Sequence, residues 1–348
     1  MLDNPPTFIY SFHDEYSSRK MKYKKLGSTD LIVSNLSLGT GGFSHFYGDC
    51  SLDECKLLVE EALKSGINYI DTGPWYGHGT SEKILGECLK NVPRSSYYIG
   101  SKVGRYEADP KLMFDFSAKK TRESVETSLK RLKLDYIDVM QVHDVEFAPS
   151  LDVILNETLP TLQELLNEGK IHYIGITGYP NSVLKEVIEK SSVKISTILS
   201  YTRLTMIDQS LNDFIPFYKS HNIGVINASV HGMGLLTNDG PQPWHPASEH
   251  LKKTCEKAAD YCKENGVELG RLALYFGLKQ NGPDTILTGV NNRVLLQSNL
   301  DVVQNGLQEK EMRVFEEVIK RFFTGLKETQ WEGVELKKFK ENSFSAFL

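Results

Sequence analysis

Short apolar runs alternate with longer amphipathic ones along most of this chain. The short runs are Val33–Leu38, Ile67–Asp71, Tyr97–Lys102, Tyr136–Val142, Tyr173–Thr177, Thr197–Ser200, Val225–Asn227 and Ile286–Leu287. They are rich in β-branched and aromatic residues, and read as strands. The segments between them carry a helical period. Cys55, Leu58, Val59, Ala62 and Leu63 recur at i, i+3, i+4, i+7 and i+8, one apolar helix face. Ser51-Leu52-Asp53-Glu54 just before it has the capping-box pattern, in which hydroxyl and carboxylate each satisfy an orphan backbone N–H. Gly66 supplies a stop tolerant of positive φ. Val125, Leu129 and Leu132 predict a second helix face; Leu155, Leu159, Leu162 and Leu166 predict a third. Pro160 should kink or restart that third helix, because its ring displaces a backbone donor.

The strands are short and nearly all apolar, as parallel strands covered on both faces should be. Eight strand–helix units predict an α/β fold, the (β/α)8 TIM barrel. An open doubly wound sheet is the rival, and it would want a GxGxxG turn after its first strand. Gly39-Thr40-Gly41-Gly42 stands there, but Phe43-Ser44-His45 does not complete the spacing. A single barrel is therefore expected over residues 22–327. Residues 1–21 are polar and aperiodic and read as a flexible extension outside the fold. Residues 328–348 form a tail, either wrapped on the body or loose.

Bulk properties narrow the function classes. The 348 residues hold 40% hydrophobic and 24% charged side chains, an ordinary globular balance. A net charge of −5 argues against a general nucleic-acid binder. The five cysteines include no CxxC pair, so reduced thiols and a cytoplasmic location are expected rather than a disulfide framework. No apolar run approaches the length of a membrane span. Asp3, Pro5 and Pro6 near the start do not fit a signal peptide.

Candidate chemistry gathers where strands end. In a barrel of this kind, sites are built at the C-terminal ends of the strands. Asp71 ends the second predicted strand, and Tyr76 follows in its loop; Lys102 ends the third, and His143 the fourth. Taken singly, Tyr76 reads as loop packing, Lys102 as a rim charge, His143 as a structural histidine and Asp71 as a helix cap. Together they read differently, because a lysine or aspartate buried at a strand end is costly unless the two pair. A tyrosine beside a lysine can exchange a proton. The Lys102 ammonium is expected to lower the Tyr76 pKa toward the working range.

The run Asp71-Thr72-Gly73-Pro74-Trp75-Tyr76-Gly77, with Lys102 and His143, resembles the catalytic pattern of the aldo-keto reductase superfamily over about residues 23–307. Within it the chain looks most like the L-galactose dehydrogenase branch. The runs that carry this are Ser101-Lys102-Val103-Gly104-Arg105-Tyr106, Phe114-Asp115-Phe116-Ser117, His143-Asp144-Val145-Glu146-Phe147, Ile174-Gly175-Ile176-Thr177-Gly178 and Trp244-His245-Pro246-Ala247-Ser248. The resemblance implies hydride transfer with NAD or NADP, and catalytic roles for Tyr76, Asp71, Lys102 and His143.

By the same resemblance, Thr177 and Gly178 stand where a polar pair usually holds the nicotinamide amide, Ser200 and Tyr201 close the sixth strand nearby, and Ser229 fits a pyrophosphate-side contact. Gly289, Asn291, Asn292, Arg293 and Asn299 match the adenosine-phosphate region, where a helix N-terminus suits an anion. Many relatives place a tyrosine at Ala228 to stack on the nicotinamide. Gly289 and Leu295 occupy positions where basic residues often grip the 2′-phosphate of NADP, which favours NAD; Arg293 could compensate. Trp75, Arg105, Phe147 and Trp244 are candidate substrate walls. A sugar oxidised at its anomeric carbon to a lactone is the expected substrate. The alternatives are a general carbonyl reductase using NADPH and a nucleotide-binding regulatory subunit resembling potassium-channel β subunits. A divalent-metal hydrolase on His143 and Asp144 lacks a second well-placed histidine, so no metal is expected. The partner is a small molecule, with no nucleic acid or membrane, and the assembly a monomer or homodimer.

Overall fold

The computed structural model describes residues 4–44 and 50–341. The chain forms an antiparallel hairpin, β1 (Tyr23–Lys25) with β2 (Ile32–Ser34). Eight parallel strands then close into a barrel. They are β3 (Leu36–Gly39), β4 (Tyr69–Asp71), β5 (Tyr98–Val103), β6 (Ile137–Val142), β7 (Ile171–Gly178), β8 (Thr197–Tyr201), β9 (Gly224–Ala228) and β10 (Thr285–Gly289). Each pairs with the next in sequence, and β10 returns to β3. The barrel, not the open sheet, is the fold.

The first predicted strand, Val33–Leu38, is two strands. Asn35 N–H donates to Lys22 O at 2.7 Å, which ends the hairpin and lets the barrel begin at Leu36. The predicted helix faces fall on Leu52–Lys64 and Ala118–Leu132. Ser51 Oγ accepts from Glu54 N–H at 3.3 Å, and Gly66 takes φ +96°. Ahead of Pro160, residues Ile154–Thr158 form a wide π turn before the helix resumes at Leu159. Leu159, Leu162 and Leu165 of the resumed helix are buried, and Leu155 and Leu166 pack partly buried against the same core.

Two apolar layers result. Helices cover the outside of the barrel through Leu58, Val125, Leu162 and Leu184. Inside, Tyr69, Val139, Leu199, Ile226 and Leu287 fill the lumen, and Leu26, Leu31 and Val33 of the hairpin close its floor. Gly27, at φ +55°, lies so close to Gly224 that any Cβ would strike that backbone.

Both terminal segments are packed where the chain describes them. Asn68 Nδ2 donates to Thr7 Oγ1 at 2.9 Å. Asp14 N–H donates to Lys64 O at 2.8 Å, and Asp14 caps the helix Glu15–Lys20. The expectation that residues 1–21 stand apart from the fold is therefore corrected for residues 4–21. These bonds come from polar groups, which leave no hydrophobic period to read. The tail wraps: Trp331 is buried, and its N–H donates to Tyr179 Oη at 3.0 Å. Glu332 pairs with Arg203 at 2.9 Å. His45 and residues 342–348 lie outside the described residues.

Candidate active site

Above the apolar lumen lies a polar layer that glycines make room for. Strand period two turns Tyr69 and Asp71 the same way. Gly100 is the register partner of Asp71; a Cβ there would run into the Tyr69 hydroxyl and lie 3.1 Å from Asp71 Oδ2. Gly175 sits between Gln141 and Thr197 in register, and a Cβ on it would meet Thr197 Oγ1 and press on Gln141. Small residues at these two points let carboxylate and amide occupy the lumen.

Asp71 and Lys102 are 2% and 1% exposed. Lys102 Nζ donates to Asp71 Oδ1 and, at 2.7 Å, to Thr72 O. Gln141 Nε2 donates to Asp71 Oδ2 at 2.7 Å. Burial alone would lower the Lys102 pKa, but Asp71 and Tyr76 together outweigh it and hold the ammonium above its ordinary range. Lys102 Nζ lies 4.9 Å from the centre of the Tyr76 ring.

Tyr76 itself is held above the usual phenol range, mainly by burial; Lys102 pulls the other way, and Asp71 pushes up again. The expectation of a net lowering by Lys102 is thus corrected. Lys102 does favour the phenolate, but by less than burial disfavours it, so desolvation wins. Tyr76 and His143 face each other edge to face, 6.0 Å between ring centres. Burial pushes the imidazole of His143 down to about 3, so it is neutral at physiological pH.

Asp144 follows His143 at φ +53° and turns its carboxylate to Arg105 at 2.7 Å. Burial would raise Asp144, but His143 and Arg105 together hold it below its ordinary value. Arg105 lies over Trp75 at 4.1 Å and over Phe147 at 5.8 Å, so three of the four substrate-wall candidates converge. Trp244 stacks instead on His245, whose ring meets Trp331 of the tail at 4.7 Å.

The cofactor candidates spread over the same end of the barrel. Gly178, Ser200 and Asn227 stand side by side in register. Ser200 Oγ and Asn227 Oδ1 are buried without a hydrogen-bond partner. Thr177 Oγ1 is already engaged, accepting from Asp144 N–H at 3.0 Å. Ser229 takes φ +59°, and Gly289 is exposed at the end of β10. Asn292 caps the helix Arg293–Asn305, accepting from Leu295 N–H at 2.9 Å. The free N–H groups of that first turn suit an anion. Arg293 pairs with Glu61 at 2.5 Å, and Asn299 is buried in the same helix. Two orphaned polar oxygens side by side on β8 and β9 and a helix start at the rim fit a dinucleotide. Among the described residues no three His, Cys, Asp or Glu side chains converge as a metal centre would need, and no helix is long and apolar enough to cross a membrane.

The sequence pattern gives no role of their own to Gln141, Thr72, Glu335 or Phe339. Gln141 left one faint signal, an amide among the apolar residues Val139, Met140 and Val142. The tail residues left none.

Comparison with known proteins agrees with this geometry. The sequence profile of the Aldo/keto reductase family matches residues 35–320. The chain is 41% identical over 287 residues to L-galactose dehydrogenase of Arabidopsis thaliana, covering 82% of this chain and 88% of that protein. It is 32% identical over 333 residues to D-arabinose 1-dehydrogenase of Saccharomyces cerevisiae, covering 89% and 97%. Among solved structures, the holo form of an aldo-keto reductase from Bacillus halodurans matches with a TM-score of 0.68 at 27% identity, covering 86% of this chain and 96% of that one.

Proposed function

The chain belongs to the aldo/keto reductase family, and on that footing we propose that it oxidises an L-galactose-like aldose at the anomeric carbon to the lactone, with NAD preferred over NADP. It is an NAD(P)-dependent oxidoreductase. The observation that carries the chemical reading is the buried Asp71–Lys102 pair beside Tyr76 and a neutral His143. Identity to two sugar dehydrogenases over most of the chain supports the aldose.

A bound nicotinamide supplies one thing, a carbon that accepts or returns a hydride. The residues of this chain do the rest. Tyr76 handles the proton of the substrate oxygen: it receives that proton when an alcohol is oxidised and gives it back when a carbonyl is reduced. Lys102, fixed by Asp71, Gln141 and the Thr72 carbonyl, stabilises the phenolate formed in between. His143, uncharged, orients the same oxygen without competing for its proton. Because Tyr76 rests protonated, reduction should proceed at neutral pH, and oxidation should quicken as pH rises.

Ser200 and Asn227 would hold the carboxamide, with Thr177 and Gly178 beside them. Ser229, Gly289, Asn291, Asn292 and Asn299 would line the path of the phosphates and adenosine. Gly289 and Leu295 offer no cation to a 2′-phosphate, and Arg293 is paired with Glu61; together these support NAD.

The test is absorbance of reduced nicotinamide with NAD or NADP against L-galactose and other aldoses, repeated for Tyr76→Phe. Oxidation of L-galactose with NAD, abolished in Tyr76→Phe while nucleotide binding persists, is expected. Turnover retained without the phenol would refute the proton-transfer role. Tight nucleotide binding without any turnover would favour a regulatory subunit.

A further inference from the structure

A buried network behind the barrel wall ties the loop of Tyr76 to the strand of Lys102. The chain leaves Tyr76 through Gly77, His78 and Gly79, at φ +61°, +50° and +87°, and enters the helix Thr80–Cys88. This run through the left-handed region is an abrupt turn, and a non-glycine residue stays in it only where its surroundings hold it. His78 is held by its ring, whose Nδ1 donates to Tyr106 O at 2.8 Å. The Tyr76 carbonyl accepts from Ser81 N–H at 3.1 Å. Ser81 Oγ donates to Thr40 O at 2.8 Å and lies 3.2 Å from Thr72 Oγ1. Both ends of the Tyr76 loop are thereby pinned together.

Glu82 follows Ser81 and carries the tie to the next strand. Its side chain is fully buried. Oε1 accepts from Ser101 Oγ at 2.8 Å, and Oε2 pairs with Arg131 of the helix Ala118–Leu132 at 3.1 Å. Ser101 is the residue before Lys102 on β5. Strand period two turns its hydroxyl out of the lumen and Lys102 into it. The route from phenol to ammonium therefore runs from Tyr76 by a hydrogen bond to Ser81, along the chain to Glu82, by a second hydrogen bond to Ser101, and along the chain to Lys102. The Arg131 guanidinium also lies against Gly79, where a Cβ would run into it, so the ion pair closes on the turn as well. A carboxylate buried this completely is costly unless it is bonded and paired. Both of its oxygens are committed to joining these segments.

We propose that Glu82 is a positioning residue for the proton transfer: bonded to Ser101 from the helix that follows the Tyr76 loop, it sets the separation of Tyr76 and Lys102. This rests on the proton-transfer reading of those two groups given above. Lys102 is fixed in the barrel wall by Asp71 and the Thr72 carbonyl, whereas Tyr76 stands on a loop, and loops move more than the elements they connect. The Lys102 charge favours the phenolate, and that attraction falls as the inverse of distance. Widening a separation of about 4 Å by about 1 Å removes about a fifth of it. At an effective dielectric of about 20 the phenolate becomes about fourfold harder to form.

Single-turnover kinetics on the full chain test the proposal, followed by nicotinamide absorbance with L-galactose and NAD and with butanal and NADH. Ser101→Ala and Glu82→Leu cut the tie. Glu82→Gln, the conservative variant, has an amide that can take up the same bond. Asp284→Asn is the control: Asp284 is buried and pairs with Lys219 at 2.6 Å just before β10, at the end of the barrel away from the site. In Ser101→Ala and Glu82→Leu the rate of the hydride step should fall about fourfold, while nucleotide Kd and substrate KM hold. Glu82→Gln should recover most of the rate lost in Glu82→Leu. Asp284→Asn should lower the melting midpoint and leave the rate alone. Unchanged rates in Ser101→Ala and Glu82→Leu overturn the proposal. A loss that Glu82→Gln fails to recover overturns it too, as does one that Asp284→Asn reproduces at a similar fall in midpoint. Where Glu82→Leu does not fold, Ser101→Ala against Glu82→Gln decides by the same criteria. A Tyr76→Phe variant that keeps the wild-type rate overturns the proton-transfer reading and this proposal with it, a result distinct from failure at Glu82 alone.

Discussion

The Asp71–Lys102 pair should show strong coupling in a double-mutant cycle. Lys102→Met removes the ammonium and leaves the Asp71 carboxylate with only Gln141 Nε2, at 2.7 Å, as donor. Asp71→Asn leaves the ammonium with the Thr72 carbonyl at 2.7 Å and the neutral Tyr76 beside it. Both groups are at most 2% exposed, so neither orphaned charge can be rescued by water. Breaking a buried pair from one side costs about 3–5 kcal/mol. Removing both charges leaves no unpaired ion, so the double variant should recover about 2–3 kcal/mol of the summed losses.

In a chain of this size each kcal/mol moves the melting midpoint by about 2 °C. The single variants should then melt some 6–10 °C below the wild type (about 3–5 kcal/mol at that scale), and the double variant should fall well short of the sum. Lys102 is held above its ordinary range. Its contribution is therefore complete below that range and is lost only as pH rises through the raised value. Scans between about pH 6 and 9 should give the same coupling, since an ordinary lysine titrates only near 10.4. Calorimetry or a fluorescence melt on the four proteins decides the matter. Additive losses across the cycle would show that the two charges do not stabilise one another, and the argument for a preorganised ammonium beside Tyr76 would fail.

Buried histidines predict acid sensitivity. His245 Nε2 donates to Gly232 O at 3.0 Å while Nδ1 accepts from Ala247 N–H at 3.1 Å, and burial holds its pKa down to about 4. Its contribution is present above the ordinary histidine value and is lost as pH falls toward 4, so His245→Gln should flatten the melting midpoint against pH between 6.5 and 4. An unchanged slope would count against a neutral His245. Glu146 runs the opposite way. Burial and then Asp144 raise it to about 8, so its stabilisation is present at low pH and fades as pH climbs from 4.5 through 8. Glu146→Gln keeps the acceptor for Tyr179 N–H and should remove that alkaline loss, as melts at pH 5 and pH 8.5 would reveal. Glu61→Ala releases Arg293 from its 2.5 Å ion pair and should improve use of NADP relative to NAD by several-fold, about the worth of one partly exposed charged contact. Unchanged relative kcat/KM for the two nucleotides would show that Arg293 cannot reach the 2′ position.

What could be read from the sequence was whatever a local period or a strand end announces. The eight barrel strands were legible because apolar β-branched runs recur between helical ones. The antiparallel strand Tyr23–Lys25 was not, since three residues with two lysines carry no alternation. The third predicted helix was legible with most of its face, whose Leu159 and Leu162 are buried, but the π turn ahead of Pro160 was not, because no amino acid there encodes it by itself. Asp71, Tyr76, Lys102 and His143 stood out as candidates because each sits in or just past a strand whose end the pattern marks.

The parts that stayed hidden are those where one segment completes another far away in sequence. Gln141 holds Asp71 across 70 residues, and Tyr201 meets Glu335 across 134. Neither end of such a pair looks unusual alone: a glutamine in a strand reads as an interruption, a glutamate in a polar tail as a solvated charge. The same logic governs Tyr76. A lysine nearby predicts a lowered phenol pKa, and only the closed barrel reveals that burial outweighs the lysine, with Asp71 opposing it as well. Proximity of residue types along a chain thus states which groups can exchange a proton. The sign and size of their tuning belong to the desolvation that packing imposes, and these are fixed by residues such as Gly100 and Gly175, which act by leaving space.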